Sequence, residues 1–349
     1  MNCQQTLIGL RLKWLRFCML FLVSLTMAAC GNSAEQSEPE DSGTLVVLNK
    51  TGNTAMIIDL ATRELLATLP TGVAPHEAVV SPDKRWVAAS NYGLYDGDPG
   101  HTITLINVEE QSVERVIDMG EYIRPHGMVW MSDGEHLLVT AEEHESLILL
   151  HIPSGEVVRE IPTGGQYRSH IVYLSSDEST AYVANIDDGT MSVIDMESGD
   201  VITVIETGEG AEGIGISPDE TELWISNRVV NTITIVDLDT YEVIDTLPAG
   251  EFPIRSVFTP DGSHVVVANM NGGDLSVFDA SGRSEVMRID LEPDRDLNAA
   301  PVGLMVIPGN RLLAAGTQSD RLYMIDLENF EIIDHIEAGD EPDGMAFIE

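Results

Sequence analysis

Three histidines of this chain stand at equivalent distances from a recurring turn. In "APHEAVVSP" and "RPHGMVWMS", His76 and His126 each lie seven residues before the aspartate of the turn. In "YRSHIV", His170 has the same spacing although no proline precedes it. Imidazoles brought together in this way can ligate zinc or copper. They can also act as general acids or bases, because histidine titrates near neutral pH.

Counting back from the turn in every copy of a repeat aligns seven positions along the chain, which are His76, His126, His170, Glu212, Ile254, Val302 and Asp343. Arg255, one position further on, supplies a cation. Three interpretations stay open. The histidines form a metal site for zinc or copper; or they join Asp343, Glu212 and Arg255 in a metal-free ligand site; or they only cap strand starts. The third interpretation is natural because repeats descend from one ancestral unit.

The repeat has a period of roughly 40 residues, which is typical of propeller blades. Each copy holds four short runs rich in Val, Ile and Leu, and "TMSVID" and "TITIVD" alternate as strands do. The copies begin at Thr44, Arg85, His136, Thr180, Glu222, His264 and Arg311. Four strands in each of seven copies predict an all-β, seven-bladed β-propeller with four-stranded antiparallel blades.

Two stretches carry a resemblance to a known family. "AYVANIDDGTMSVIDMESGDVI" and "GISPDETELWISN" resemble the YVTN-type propeller repeat, whose second strand ends in Asn and whose turn is Ser-Pro-Asp-Gly. Ala141 and Gly316 depart from the Asn position, which is otherwise held by Asn49, Asn91, Asn185, Asn227 and Asn269. The resemblance covers residues 44–349. It implies the fold more strongly than an activity, since such propellers include binding proteins, lactonases and redox enzymes.

The order of strands predicts how the ring closes. In that family, the strand before Ser-Pro-Asp lines the channel. This chain starts on a second-strand run, "TLVVLN", and ends on a first-strand run, "PDGMAFIE". We therefore expect residues 342–348 to pair with strands near residues 45–49, 55–60 and 64–69, so that the C-terminal strand completes the N-terminal blade.

Loop length predicts which face of the propeller is functional. The two long loops, residues 91–102 and 290–303, fall on the face where the inner strands begin, whereas the Ser-Pro-Asp turns lie on the opposite face. Function concentrates where a rigid scaffold carries variable loops. The aligned histidines belong to the same face, so we expect the site at this mouth of the channel.

The first 29 residues have the composition of a secretory signal peptide, with Arg11, Lys13 and Arg16 before a short apolar run. Residues 27–31, "MAACG", resemble the lipobox of bacterial lipoproteins, which implies lipidation of Cys30 and a membrane anchor. Residues 30–43 are acidic and aperiodic, and they predict a disordered tether. By the same resemblance, Gly31 in place of a retention aspartate favours the outer membrane.

The chain is strongly acidic. Three of its 18 Lys and Arg lie in the leader, which leaves 15 against 58 Asp and Glu, a net charge near −43. Such a surface repels nucleic acid. Adaptation to a saline habitat and a role in collecting cations both remain open as explanations.

These observations favour an exported, lipid-anchored propeller that acts as a binding or scaffold protein in the cell envelope. Its partner would be a small-molecule ligand or another envelope protein, with a ligand or divalent metal (zinc or copper) held at the channel mouth. The alternative is an enzyme, either a lactonase-like hydrolase or a metal-dependent redox protein.

Overall fold

The computed structural model describes residues 42–292 and 298–349, which form 28 β-strands in seven four-stranded antiparallel sheets. The predicted leader, Cys30 and the tether up to residue 41 lie outside the described residues, as do residues 293–297 of the second long loop. Fold and repeat number are therefore those predicted from the sequence.

The first four blades use the N-terminal half of the chain. The strands of blade 1 are β1 (Thr44–Asn49), β2 (Thr54–Asp59) and β3 (Leu65–Pro70). Those of blade 2 are β4 (Pro75–Val80), β5 (Trp86–Gly93), β6 (Pro99–Asn107) and β7 (Ser112–Asp118). Those of blade 3 are β8 (Pro125–Trp130), β9 (His136–Ala141), β10 (Ser146–His151) and β11 (Glu156–Pro162), with a 3-10 helix at Glu142–His144. Those of blade 4 are β12 (Ser169–Leu174), β13 (Thr180–Asn185), β14 (Thr190–Asp195) and β15 (Val201–Glu206).

The remaining blades follow the same order. Blade 5 consists of β16 (Ala211–Ile216), β17 (Glu222–Asn227), β18 (Thr232–Asp237) and β19 (Glu242–Pro248). Blade 6 consists of β20 (Pro253–Phe258), β21 (His264–Asn269), β22 (Asp274–Asp279) and β23 (Ser284–Asp290). Blade 7 consists of β24 (Pro301–Ile307), β25 (Arg311–Gly316), β26 (Arg321–Asp326) and β27 (Glu331–Glu337). The last strand, β28 (Pro342–Ile348), belongs to blade 1.

The ring closes as the strand order predicts. β28 pairs antiparallel with β1, so that Leu45 lies opposite Phe347 and Val47 opposite Met345. The N-terminal blade is thereby completed by the C-terminal strand, and β1 is paired on both of its edges.

Burial patterns explain why the repeats form these strands. The second strand of a blade is buried on both faces, as in "TAYVAN" of β13, because neighbouring blades pack against each side of it. The outermost strand alternates, as in "EVVREIP" of β11, because one of its faces meets solvent. Apolar clusters therefore lie between blades. In one of them, Val46 and Ile57 of blade 1 pack with Val87 and Ala89 of blade 2.

No helix in residues 42–292 and 298–349 is long and apolar enough to cross a membrane.

Candidate functional site

Seven residues at the start of the inner strands line one cavity at the mouth of the channel. The cavity has a volume of about 360 Å³. Each blade contributes one residue to its wall, and we call these seven residues the first ring. They are Asp343, His76, His126, His170, Glu212, Ile254 and Val302. The structure thus brings together all seven positions that the repeat aligns. Arg255, the cation expected beside them, also lines the cavity.

A left-handed residue precedes each inner strand and directs the chain into it. Two positions before each member of the first ring, the backbone has a positive φ of 49–80°, at Ala74, Arg124, Arg168, Gly210, Phe252, Ala300 and Glu341. The carbonyl of each accepts a hydrogen bond of 2.8–3.3 Å from the backbone of the strand beside it. This bond fixes a conformation that is unfavourable for most residues.

The donors of those bonds form a second ring, which sequence reasoning missed. They are the residues directly after the Asn position of the second strand, namely Lys50, Tyr92, Glu142, Ile186, Arg228, Met270 and Thr317. Most of them line the cavity as well. The signal was present in the sequence, because each residue comes directly after the Asn position of the repeat.

Close packing of the inner strands explains the glycine of "PHG". A Cβ on Gly127 would stand 2.6 Å from the carbonyl oxygen of His170, and one on Gly344 would come closer still to that of His76. Glycine permits this approach of neighbouring backbones. The first-ring side chains are consequently held near one another.

His170 lies between two carboxylates. Its Nδ1 bonds to Oε1 of Glu142, and its Nε2 is 3.4 Å from Oε1 of Glu212, within ion-pair distance but without hydrogen-bond geometry. Burial disfavours protonation, yet Glu142 and Glu212 outweigh it and raise the pKa of His170. Burial likewise opposes ionisation of Glu212, but His170 and Arg228 lower its pKa to about 2. The two carboxylates thus favour the protonated form of His170.

The pKa values of His126 and His76 are shifted in the opposite direction from that of His170. Burial lowers the pKa of His76, and burial together with the neighbouring His170 lowers that of His126 well below its ordinary value. The rings of His126 and His170 lie 3.6 Å apart between centroids, and those of His76 and His126 lie 5.2 Å apart. Within the described chain, Nδ1 of His126 has no hydrogen-bond partner, whereas Nδ1 of His76 bonds to the Ala74 carbonyl at 2.9 Å.

Glu142 is fully buried and belongs to the 3-10 helix that follows β9. The Tyr92 hydroxyl donates a hydrogen bond of 2.6 Å to it, and Arg168 lies 3.6 Å away. Blade 3 departs from the repeat here, with Ala141 in the Asn position. That departure was visible in the sequence and marks the place where Glu142 turns inward to His170.

Basic side chains are concentrated at this cavity. Arg228 pairs with Glu212 at 2.6 Å, and Lys50 lies 3.7 Å from Asp343. Arg255 bonds to Glu77, which neighbours His76 on β4. With Arg168, four basic residues line the cavity, against two acidic ones.

One side of the cavity is apolar. Ile254 and Val302 of the first ring are joined there by Phe252, Met270 and Ile186. The polar wall comes chiefly from blades 1–5, with Arg255 of blade 6, and the apolar wall chiefly from blades 6 and 7. A bound molecule would meet charge on one side and hydrocarbon on the other.

The first long loop adds a second cavity beside this one. It has a volume of about 390 Å³ and shares Lys50, His76, Tyr92 and Tyr95 with the first. Leu94 and Tyr95, at the tip of the β5–β6 hairpin, are exposed apolar side chains on its wall. The longer loop thus enlarges the cavity on the face where function was expected.

One stretch of the repeats is similar to a known family. Residues 201–295 match the model of the YNCE-like beta-propeller family. The match runs from the last strand of blade 4 through blades 5 and 6, and every blade has the same four strands. The fold of the chain is therefore a seven-bladed β-propeller, and this stretch resembles the YNCE-like family. No curated protein sequence matches the chain.

Solved structures share the propeller fold at low identity. A functionally unknown protein from Desulfotomaculum acetoxidans superposes with a TM-score of 0.71 and 14% identity, covering 88% of this chain and 99% of that chain. Kuenenia stuttgartiensis hydrazine synthase superposes with a TM-score of 0.68 and 20% identity, covering 77% of this chain and 88% of that chain. The dihydro-heme d1 dehydrogenase NirN, in complex with DHE, superposes with a TM-score of 0.66 and 16% identity, covering 90% of this chain and 77% of that chain. These likenesses establish the fold alone.

Proposed function

We propose that this propeller is a lipid-anchored binding protein of the cell envelope that holds a small organic anion at the channel mouth. One observation carries the proposal. Beyond the leader, acidic residues outnumber basic ones 58 to 15, yet four basic and two acidic residues line the cavity. The local excess of basic groups is opposite in sign to that of the chain as a whole.

Such an arrangement favours capture of an anion at short range. The acidic surface repels anions, but salt screens that repulsion over about 8–10 Å at physiological ionic strength. Inside the cavity, Lys50, Arg168 and Arg228 are largely shielded from solvent, so their fields are screened less. A carboxylate could share these cations with Glu212 and Asp343.

The apolar wall restricts the ligand further. Phe252, Ile254, Met270 and Val302 offer hydrocarbon opposite the charged side chains. Burial of apolar ligand surface contributes about 25 cal/mol per Å². We therefore expect an organic carboxylate with an apolar body to bind more tightly than an inorganic anion such as phosphate.

The propeller begins on the face opposite the cavity. Thr44 pairs with Ile348 at the far end of an inner strand, whereas the cavity surrounds the beginnings of those strands. In this proposal a lipid on Cys30 anchors the protein to a membrane, and Gly31 favours the outer membrane by resemblance to bacterial lipoproteins.

The test is a binding measurement on the chain that begins at Gly31. A panel of acetate, phosphate, benzoate and longer aliphatic carboxylates would be examined by calorimetry and thermal shift at low and high salt. We expect the apolar carboxylates to bind, and Arg168→Gln and Arg228→Gln each to weaken binding by about tenfold or more. Arg115→Gln, on outer strand β7, is the control for loss of a surface charge.

Two results would count against the proposal. One is the absence of binding by every anion in the panel to folded protein. The other is an affinity for the anion that is the same in Arg168→Gln and Arg228→Gln as in the control Arg115→Gln. In either case an envelope protein partner would become the better candidate for the ligand.

An enzymatic function is the alternative, and the buried histidine and carboxylate groups favour it. A lactonase-like or redox reaction at this cavity would need a metal ion with an open coordination position. Turnover of lactones by metal-supplemented protein, abolished in His126→Ala, would favour the enzyme over the binding protein.

A further inference from the structure

We propose that His126, Glu142 and His170 bind a divalent transition-metal ion in the wall of the channel-mouth cavity. This site would be separate from the basic groups proposed to hold an anion. It also differs from the histidine triad of the first ring, because it includes Glu142 and leaves out His76.

The geometry of the three side chains supports a common ligand. Each offers one ligand atom, and these atoms lie within 4.8 Å of one another. All three residues are buried, with 3%, 1% and 6% of their surface exposed for His126, Glu142 and His170. Ligands of tetrahedral zinc, with bonds of about 2.0–2.1 Å, stand roughly 3.4 Å apart. Side-chain rotations that move the more distant atoms together by up to about 1.4 Å, and that separate Glu142 from Nδ1 of His170, would meet that geometry.

The group contains a buried polar atom that the protein does not satisfy. Within the described residues, Nδ1 of His126 has no hydrogen-bond partner, and the nearest carboxylate oxygen, Oε1 of Glu77, is 3.7 Å away. A buried polar atom without a partner costs about 1–3 kcal/mol. This nitrogen is therefore available to a metal ion, whereas Nδ1 of His76 is occupied by the Ala74 carbonyl.

Surrounding groups are placed as supporting partners of a metal site. A metal ion would replace the proton between Glu142 and Nδ1 of His170. Nε2 of His170 would then face Glu212, 3.4 Å away, which Arg228 holds at 2.6 Å. The hydroxyl of Tyr92 already holds Glu142 at 2.6 Å. Carboxylates and hydroxyls in such positions orient metal ligands.

Two imidazoles and one carboxylate suit zinc and copper rather than calcium or magnesium, which prefer oxygen ligands. His126 and His170 line the cavity, so the fourth position would open into it. Three protein ligands with an open position are typical of metals that bind or activate a further molecule.

The experiment titrates metal-free protein, from Gly31 to the C-terminus, with cobalt(II), zinc and copper(II) in a large excess of magnesium. Magnesium occupies weak sites on the acidic surface. Cobalt absorption reports four-coordinate binding, and calorimetry gives stoichiometry. We expect one site per chain, with affinity lowered about 100-fold or more in His126→Ala and about 10–100-fold in Glu142→Gln.

His76→Ala tests which histidines bind, since it removes a first-ring imidazole that is not a ligand in this group. Because the His76 ring lies 5.2 Å from that of His126, we expect some loss of affinity, but less than about tenfold. Circular dichroism melts would establish that each variant is folded. The proposal is overturned if folded wild-type protein binds none of the three metals, if His126→Ala and Glu142→Gln bind as tightly as wild type, or if His76→Ala loses as much affinity as they do.

Discussion

Arg255 and Glu77 form an ion pair across the channel, joining blade 6 to blade 2. Both lie one position beyond the first ring on their inner strands. Their side chains are mostly buried, with 16% and 21% exposed. The two charges therefore tie together blades that are far apart in the ring, beside the cavity.

Removing one member of this pair should destabilise the protein more than removing both. Glu77→Gln leaves the Arg255 guanidinium without its carboxylate, which we expect to cost about 2–4 kcal/mol of unfolding free energy. The double variant Glu77→Gln, Arg255→Met should recover most of that loss, because no uncompensated charge remains. Urea unfolding of wild type, both single variants and the double variant measures the coupling. Additive losses would show that the pair contributes no coupling.

Deleting residues 341–349 should produce an aggregating protein. The deletion removes β28, which is the inner strand of blade 1, and leaves β1 with an unpaired edge. Unpaired edges of this kind associate with other chains. Light scattering and thermal melts after expression test the prediction, and deletion of Glu349 alone is the control. A soluble truncation that melts cooperatively would contradict this role of the closing strand.

The fold could be predicted because the recurring turn marks where the strands of each repeat begin. The second strands begin at the predicted residue in every blade except blade 2, where β5 begins one residue after Arg85. Counting from the turn also located the first ring, including His170, which lacks the preceding proline. These features depend on period and alternation, both of which are local properties of the sequence.

The second ring and Glu142 could not be found by the same count. Tyr92 and Arg228 approach the cavity from a neighbouring strand, through a hydrogen bond to a left-handed residue. Glu142 turns inward in the blade that lacks the repeat's Asn. Likewise, the pairing of Arg255 with Glu77 depends on the width of the closed ring. The sequence marks where the second ring lies, directly after the Asn position, but these contacts join distant parts of the chain, and spacing does not predict which side chains they bring together.

The Asn of the repeat should contribute strongly to stability. Asn91 is buried, accepts a hydrogen bond from the Gly72 backbone at 3.0 Å, and donates to Thr102 and Thr104, each at 2.9 Å. Asn91→Ala leaves these groups unsatisfied, and we expect a loss of about 2–4 kcal/mol. Asn329→Ala, in a solvent-exposed turn, should cost under about 1 kcal/mol. Chemical denaturation compares the two, and equal losses would contradict this role.

Acid should weaken the propeller through the turns opposite the cavity. Hydrogen bonds from the side chain of Thr259 and from Ser263 lower the pKa of Asp261 to about 2, and bonds from Ser179 and Ser175 do the same for Asp177. A carboxylate with a lowered pKa in the folded state stabilises that state above its ordinary pKa of 3.8. The contribution is lost as pH falls toward 2.

We therefore expect Asp261→Asn and Asp177→Asn to reduce the dependence of stability on pH between about 4 and 2, because an amide still accepts the bonds but does not titrate. The urea midpoint, measured across this range, is the readout. Asp96→Asn, in the β5–β6 hairpin, removes the same negative charge and controls for reduced repulsion among the acidic side chains. If the urea midpoints of all three variants fall with pH as that of wild type does, protonation of Asp261 and Asp177 does not cause the loss of stability in acid.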